Sequence, residues 1–508
     1  MEQTNIFSAY RQNLGKSQET LNVQLNIQNT TIGKILCLNS SAKIDSINAL
    51  QGEALVNGTV FTTLVYLNEV NELKTEKTTT SFNTRVVNEN ITPLSQILGK
   101  VEIIENNITL ATESEVDANI IVELELEQVA QTELNVYQNS SNNIKVKNSN
   151  FIINQFKTSN SSKFNVVGEG SIKLNTNEIF VAQVNTCVKS VTAGTGYFTV
   201  EGEIYVNYIA QSQDEDKPIK CFSETLSFKE EIENEQLLKD DLVLAYLSPV
   251  LSEIVFEVSD NDGKISYGIT IPVSVNYIAL NKVEQELPVD AFSTNCDVSL
   301  EYKGVALGEI NPTKYVDARI DGSFTILDTE PRIAKISCVT PNNITLTKTY
   351  VNNETLIVEG IANVCVSYEA DEDDIWLSSV QAEIPFSCAL KNVVNENESV
   401  FVVASSCEAT AKAKKGKEID LDLDLTFAVD TYLNSEEKVL NNVIFGECYT
   451  KSEYALKVHV APQGTTLWDL CKQLKTSEEI ILQQNPNVTF PLEEATSIIY
   501  FNGRSDKQ

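Results

Sequence analysis

The sequence predicts a mainly β chain: three tandem β-rich repeats of about 150 residues each, sandwich- or barrel-like, followed by a small α+β module of strand, helix, helix and strand. Three observations carry this expectation. A run of apolar alternation around one glycine recurs three times in the first 450 residues. Each recurrence is followed by a second pair of alternating runs. After residue 450 the apolar spacing changes to that of a helix with one buried face.

The first strand of the recurring pattern is "LVNGTVFTTLVYL" at Leu55–Leu67, "FTVEGEIYVNYI" at Phe198–Ile209 and "LIVEGIANVCVSY" at Leu356–Tyr368. Each places a glycine (Gly58, Gly202, Gly360) after a short apolar run and then alternates toward a tyrosine. A second strand ends in Phe82, Phe228 or Phe386, at 16, 20 and 18 residues from Tyr66, Tyr208 and Tyr368. All three separations are even, as a pleat of period two requires when only the connecting loop varies. Two of those loops, "QDEDKP" and "EADEDDIW", are acidic but lack the ordered spacing of a calcium loop, so solvated hairpin tips are expected.

A second hairpin follows, clearest in "EIVFEVSDNDGKISYGITIPVSVNY" and "EATAKAKKGKEIDLDLDLTFAVDTY", where Asp-Gly and Lys-Gly supply positive-φ turns. The first repeat has the matching strand "ANIIVELELEQV". Upstream, Cys37, Cys187 and Cys338 lie 150 and 151 residues apart and give the same period. Short helices are expected at "ITPLSQILGKV" and "IENEQLLKDDL". Polar connectors place the repeats at residues 1–140, 141–293 and 294–450, and the terminal module at 451–508.

In that module Leu467, Leu470, Cys471 and Leu474 share one helical face, with Thr465 or Thr466 as its cap after Gly464. "TSEE" announces a second helix, with Thr476 as N-cap and Glu479 completing a capping box, and Asn485-Pro486 ends it. "LKVHV" and "TSIIYF" supply the flanking strands.

Composition narrows function. With 38 basic and 71 acidic residues the net charge is -33, which opposes nucleic acid and anionic membranes. The first residues carry no basic start and apolar core of an export signal, and no run approaches the ~20 apolar residues of a membrane span. Ten cysteines without a CxxC pair, mostly in apolar strands, read as reduced core residues, and a single histidine, His459, argues against zinc and against a histidine-dependent triad. No phosphate-cradling, dinucleotide or HExxH motif occurs, so no enzyme, cofactor or metal is expected.

Gly464-Thr465-Thr466-Leu467-Trp468, the "TSEEII" helix and Asn485-Pro486 resemble the LysM pattern over residues 456–502, with Thr465 where aspartate is usual and Ala495 where glycine is usual. The resemblance implies a groove for N-acetyl glycans or a partner lined by Gly464, Thr465, Thr466, Leu467, Trp468, Asn485 and Pro486. The β repeats, with their "VEG" strands and the ending "VDAFS" at Val289–Ser293, are similar to the SPOCS-repeat proteins of endospore-forming bacteria. That resemblance implies a structural adaptor of the spore coat. It further implies synthesis in the mother-cell cytoplasm, assembly at the forespore surface, and partnership with the coat-basement morphogenetic ATPase and other coat proteins. A peptidoglycan- or cortex-binding protein and a phage tail or baseplate protein are the alternatives.

Overall fold

The structure is a computed structural model and describes residues 3–28, 30–138, 143–174, 176, 179–213, 219–261, 264–372, 375–414, 416–448 and 456–501. Residues 214–218 of the first acidic tip, 373–374 of the second and the Asp262-Gly263 turn fall outside those residues, and Glu372 pairs with Ile375 across the second tip. The described chain is mainly β, and two short helices occur near its end.

Three bodies follow one another, each built from a three-stranded sheet facing a second sheet. In the first body β1 (Gln3–Asn26), β5 (Gln96–Thr112) and β6 (Glu115–Tyr137) face β2 (Ile32–Leu50), β3 (Glu53–Asn68) and β4 (Leu73–Val87). In the second, β7 (Ile144–Ile172), β11 (Leu242–Pro249), β12 (Val255–Asn261) and β13 (Lys264–Ser293) face β8 (Ile179–Ala193), β9 (Tyr197–Gln211) and β10 (Ile219–Glu233). In the third, β14 (Cys296–Ile310), β15 (Lys314–Thr325), β19 (Ser399–Lys414) and β20 (Glu418–Cys448) face β16 (Ile333–Asn352), β17 (Thr355–Glu372) and β18 (Ile375–Lys391). All pairings are antiparallel, and each body has its own apolar core between the sheets.

Alternation explains the layers. In β20, Ile419, Leu421, Leu423 and Leu425 are buried while Asp420, Asp422 and Asp424 face outward. The acidic residues thus mark the solvated face of the pleat.

Gly58, Gly202 and Gly360 occupy corresponding places on the middle strands β3, β9 and β17, directly opposite Phe82, Phe228 and Phe386. A β-carbon on Gly202 or Gly360 would lie 2.6 Å from the phenylalanine Cζ, and at Gly58 it would meet the ring of Phe82 and the Lys43 carbonyl. Each ring lies over its glycine, which is why these positions lack a side chain.

Several expectations are corrected. The two expected helices near 91–101 and 232–242 are turns leading into strands. Polar side chains hold those turns: the Asn88 and Asn234 carbonyl oxygens accept from the amides of Asn90 and Gln236. Cys37 and Cys338 do correspond, each lying opposite the residue seven after its glycine. Cys187 instead lies opposite Glu203, next to Gly202, and Phe180 holds the place equivalent to Cys37. The equal spacing of the three cysteines is therefore a coincidence of loop lengths. Nor are all the cysteines reduced: Cys221 is bonded to Cys338 and Cys296 to Cys448. These pairs meet across strands 117 and 152 residues apart, where local spacing carries no signal. Cys37, Cys187, Cys365, Cys388 and Cys471 are buried free thiols.

The bodies close into a ring through their three-stranded sheets. First and second meet where Asn39 donates to the Ala182 carbonyl and where the Gln211 side chain bridges the Leu73 amide and the Asn71 carbonyl. Second and third meet at the Cys221–Cys338 bond and at Gln183, which donates to the Asn342 carbonyl. Third and first meet where Lys34 reaches Ser378 and Ser379 donates to the Ile35 carbonyl. The long strands β1/β6, β7/β13 and β14/β20 run on beyond the sandwiches as ribbons that pack together through Leu134, Ile153, Leu287, Leu307 and Val439.

Candidate functional site

The terminal module has β21 (Leu456–Ala461) and β22 (Thr496–Phe501) paired beneath α1 (Leu467–Leu474) and α2 (Glu478–Gln484). Thr466 is the N-cap of α1: its hydroxyl oxygen accepts from the Asp469 amide at 3.2 Å. Lys475, in the left-handed region, ends that helix, and the Thr476 amide returns to the Cys471 carbonyl. Because Thr476 closes α1, Ser477 becomes the N-cap of α2 and the expected capping box does not form.

The residues expected to line a groove divide into two groups. Gly464 is exposed at φ +82°, and its loop is pinned by reciprocal main-chain bonds with Leu492. Thr465 and Thr466 are partly exposed beside it, and Pro486 is exposed after α2. The other three are committed to the fold. Leu467 packs in the module core. Asn485 is buried, donates to the Ile481 and Ile499 carbonyls, and accepts from the Ile499 amide, tying the end of α2 to β22.

Trp468 leaves the module and docks on the body. Its ring meets Phe292 edge-on at 5.0 Å between centroids, and its Nε1 donates to Asp290 Oδ2 at 2.8 Å. One turn along, Lys472 donates to both oxygens of Asp290 at 2.6 and 2.8 Å. Burial alone would raise the Asp290 carboxyl, but the hydrogen bonds from Lys472 and Trp468 outweigh it and hold the group below its ordinary value. Asp290 and Phe292 belong to the "VDAFS" ending of β13. Two motifs read separately in the sequence are therefore the two halves of one contact.

Sequence reading missed a second cluster. Arg11 of β1 is fully buried where the three bodies meet. Its Nε pairs with Glu127 at 2.5 Å, and its Nη2 pairs with Asp430 at 2.8 Å and donates to Tyr246 at 3.0 Å. Tyr246 donates to Asp430 at 2.6 Å, Thr313 donates to the other oxygen at 2.6 Å, and Tyr432 donates to Glu127. Phe401 and Tyr432 lie 5.3 and 5.5 Å from the guanidinium carbon. Burial, though countered by Arg11, raises the Glu127 carboxyl above its ordinary value with help from the charge on Asp430. Residues 419 positions apart meet here, so no local motif could announce them. These pairings join side chains of all three bodies, as a keystone between them would.

A cleft of about 240 Å³ opens at the same junction, lined by Asn39, Gln183, Asn342 and Asn343 among others. Amides there cap the carbonyls of neighbouring edge strands: Asn39 that of Ala182, Gln183 that of Asn342, Asn343 that of Ile103. Such capping blunts strand edges that would otherwise pair with other chains. Among the described residues no group of three or more His, Cys, Asp or Glu side chains is placed to hold a metal, and no helix is long and apolar enough to cross a membrane. No protein-family model matches the chain, and no curated protein or solved structure matches it.

Proposed function

We propose that the chain is a non-enzymatic structural adaptor in spore-coat assembly. In this reading the three bodies are copies of one SPOCS-type domain and the terminal module is of LysM type. It works in the mother-cell cytoplasm at the forespore surface, binding the coat-basement morphogenetic ATPase and other coat proteins. The observation that carries the reading is the seating of Trp468 on Asp290 and Phe292. Here the first helix of the module docks on side chains of the chain's own body, which supports protein contact as its mode of binding. The corresponding glycine–phenylalanine pairs support a triplicated domain, and a large β surface offers room for several partners.

The two disulfides add a refinement. Such bonds are scarce in reducing cytoplasm, so their presence favours a final location in a more oxidising layer than the one where the chain is made. A second reading, binding of N-acetyl glycan by the module, rests on Gly464, Thr465, Thr466 and Pro486, which keep exposed surface. The full-length chain, tested in parallel for capture of the purified ATPase and for pelleting with insoluble peptidoglycan, separates the two. Capture without pelleting is the expected result; pelleting without capture would overturn the adaptor reading in favour of glycan binding.

A further inference from the structure

The ring has three seams, and they are not equally secured. The chain itself passes from the first body to the second and from the second to the third, and Cys221–Cys338 adds a covalent tie in the second–third seam. The seam between the third and first bodies has no covalent tie among the described residues. It closes the ring by packing, hydrogen bonds and the Arg11–Asp430 ion pair.

Sheet register shows what occupies this seam. Cys221 lies opposite Ile209, seven residues after Gly202, and Cys338 lies opposite Ser367, seven residues after Gly360. In the third–first seam the corresponding places are Ser379, opposite Ser367, and Cys37, opposite Val65. Ser379 and the Cys37 strand do meet, since the Ser379 hydroxyl donates to the Ile35 carbonyl at 3.2 Å. A second thiol is also present. Cys365 donates from Sγ to the carbonyl of Leu36, the residue next to Cys37, at 3.2 Å, while Cys37 donates from its own Sγ to Asn39 Oδ1 at 2.8 Å. Both lie in the apolar cluster that joins the three bodies.

We propose that Cys37 and Cys365 are a disulfide-forming pair that latches the seam between the third and first bodies, oxidised by exchange with a small disulfide such as glutathione disulfide. One thiolate attacks a glutathione sulfur, giving a protein–glutathione mixed disulfide and releasing one glutathione. The second cysteine then attacks the protein sulfur of that intermediate, forming Cys37–Cys365 and releasing the second glutathione. The two protein sulfurs are oxidised, the glutathione disulfide is reduced, and the two thiol protons end on the two glutathiones. Both cysteines are buried, and the neighbouring Cys365 thiol together with burial raises the Cys37 thiol above its ordinary value. Reaction therefore waits for the seam to open, and the bond then prevents further opening.

The test uses the intact chain, with Cys221–Cys338 and Cys296–Cys448 formed, incubated with glutathione disulfide at increasing sub-denaturing urea and digested without reductant. The expected result is a peptide linking Cys37 to Cys365, a loss of two titratable thiols, reversal by dithiothreitol, and a formation rate that rises with urea. Cys365→Ser should abolish the linked peptide and leave at most one thiol lost, as a glutathione adduct on Cys37. Ser379→Cys, which places a thiol where Cys221 stands in its own seam, should capture Cys37. Unreacted thiols at Cys37 and Cys365, or separate glutathione adducts on each, would overturn the proposal. The wild-type digest decides this even where a variant fails to fold.

Discussion

Replacing Asp290 with alanine should weaken the hold of the body on the terminal module without unfolding either. The substitution removes the acceptor of the Trp468 indole N–H at 2.8 Å and both contacts from Lys472. A hydrogen bond to a charged group contributes about 1.5–3 kcal/mol. The Lys472 side chain is 41% exposed, so its ion pair is screened and adds at most about 1 kcal/mol. Asp290 itself is four-fifths buried, and the Trp468–Phe292 contact survives the change. A loss of about 2–3 kcal/mol is expected, roughly 30- to 150-fold in the ratio of docked to undocked module. In a Trp376→Phe background, Trp468 emission during a urea titration reports undocking, while far-ultraviolet circular dichroism reports the β bodies. The emission transition of Asp290→Ala should move to lower urea ahead of an unchanged dichroism transition, and Lys472→Ala should move it less. An emission transition that coincides with the wild-type curve would refute the docking assigned to this carboxylate.

Gly360→Ala should destabilise the chain by about 1–3 kcal/mol in urea unfolding, because its β-carbon would lie 2.6 Å from both the Phe386 ring and the Thr345 carbonyl. Gly268→Ala, with nothing within 4 Å, should be neutral or slightly stabilising, and equal effects at the two sites would refute the packing argument. Arg11→Met, which strands Glu127 and Asp430 in the interior, should cost about 3–5 kcal/mol, and adding Glu127→Gln and Asp430→Asn should recover much of that loss. The two carboxyls also predict opposite pH slopes. Glu127, raised on folding, contributes stability that is present below its ordinary value and lost as pH rises through the raised one. Asp290, lowered on folding, contributes docking that is present above its ordinary value and lost as pH falls through the lowered one. Urea midpoints against pH for Glu127→Gln, and Trp468 emission against pH for Asp290→Asn, should each lose the corresponding slope.

What was legible in the sequence was whatever a period of two or of 3.6 residues controls. The glycine strands, their phenylalanine partners and the first terminal helix follow from local alternation, and the Thr466 cap from local chemistry. Illegible features share another property, in that their partners lie far apart along the chain. Cys221 and Cys338 meet only because two sheet edges do, and Arg11 finds Asp430 only after three bodies have closed. The seven candidate groove residues were found as a motif, but the motif did not distinguish those facing solvent from those facing Asp290 or β22. The mistaken helices had apolar spacing of helical kind, yet asparagine and aspartate side chains offered their backbones a turn instead.

The outward aspartates of β20 and their counterparts on the other pleats have a consequence for molecules packed side by side. A chain of net charge -33 behaves as a charged colloid, surrounded by a cloud of counterions about 8 Å deep at physiological ionic strength. Neighbours resist crowding until that cloud thins. The spacing within a layer of such molecules is then governed by the salt around it, and rising salt, above all divalent cations, would draw the layer tighter with no change in the fold of any member.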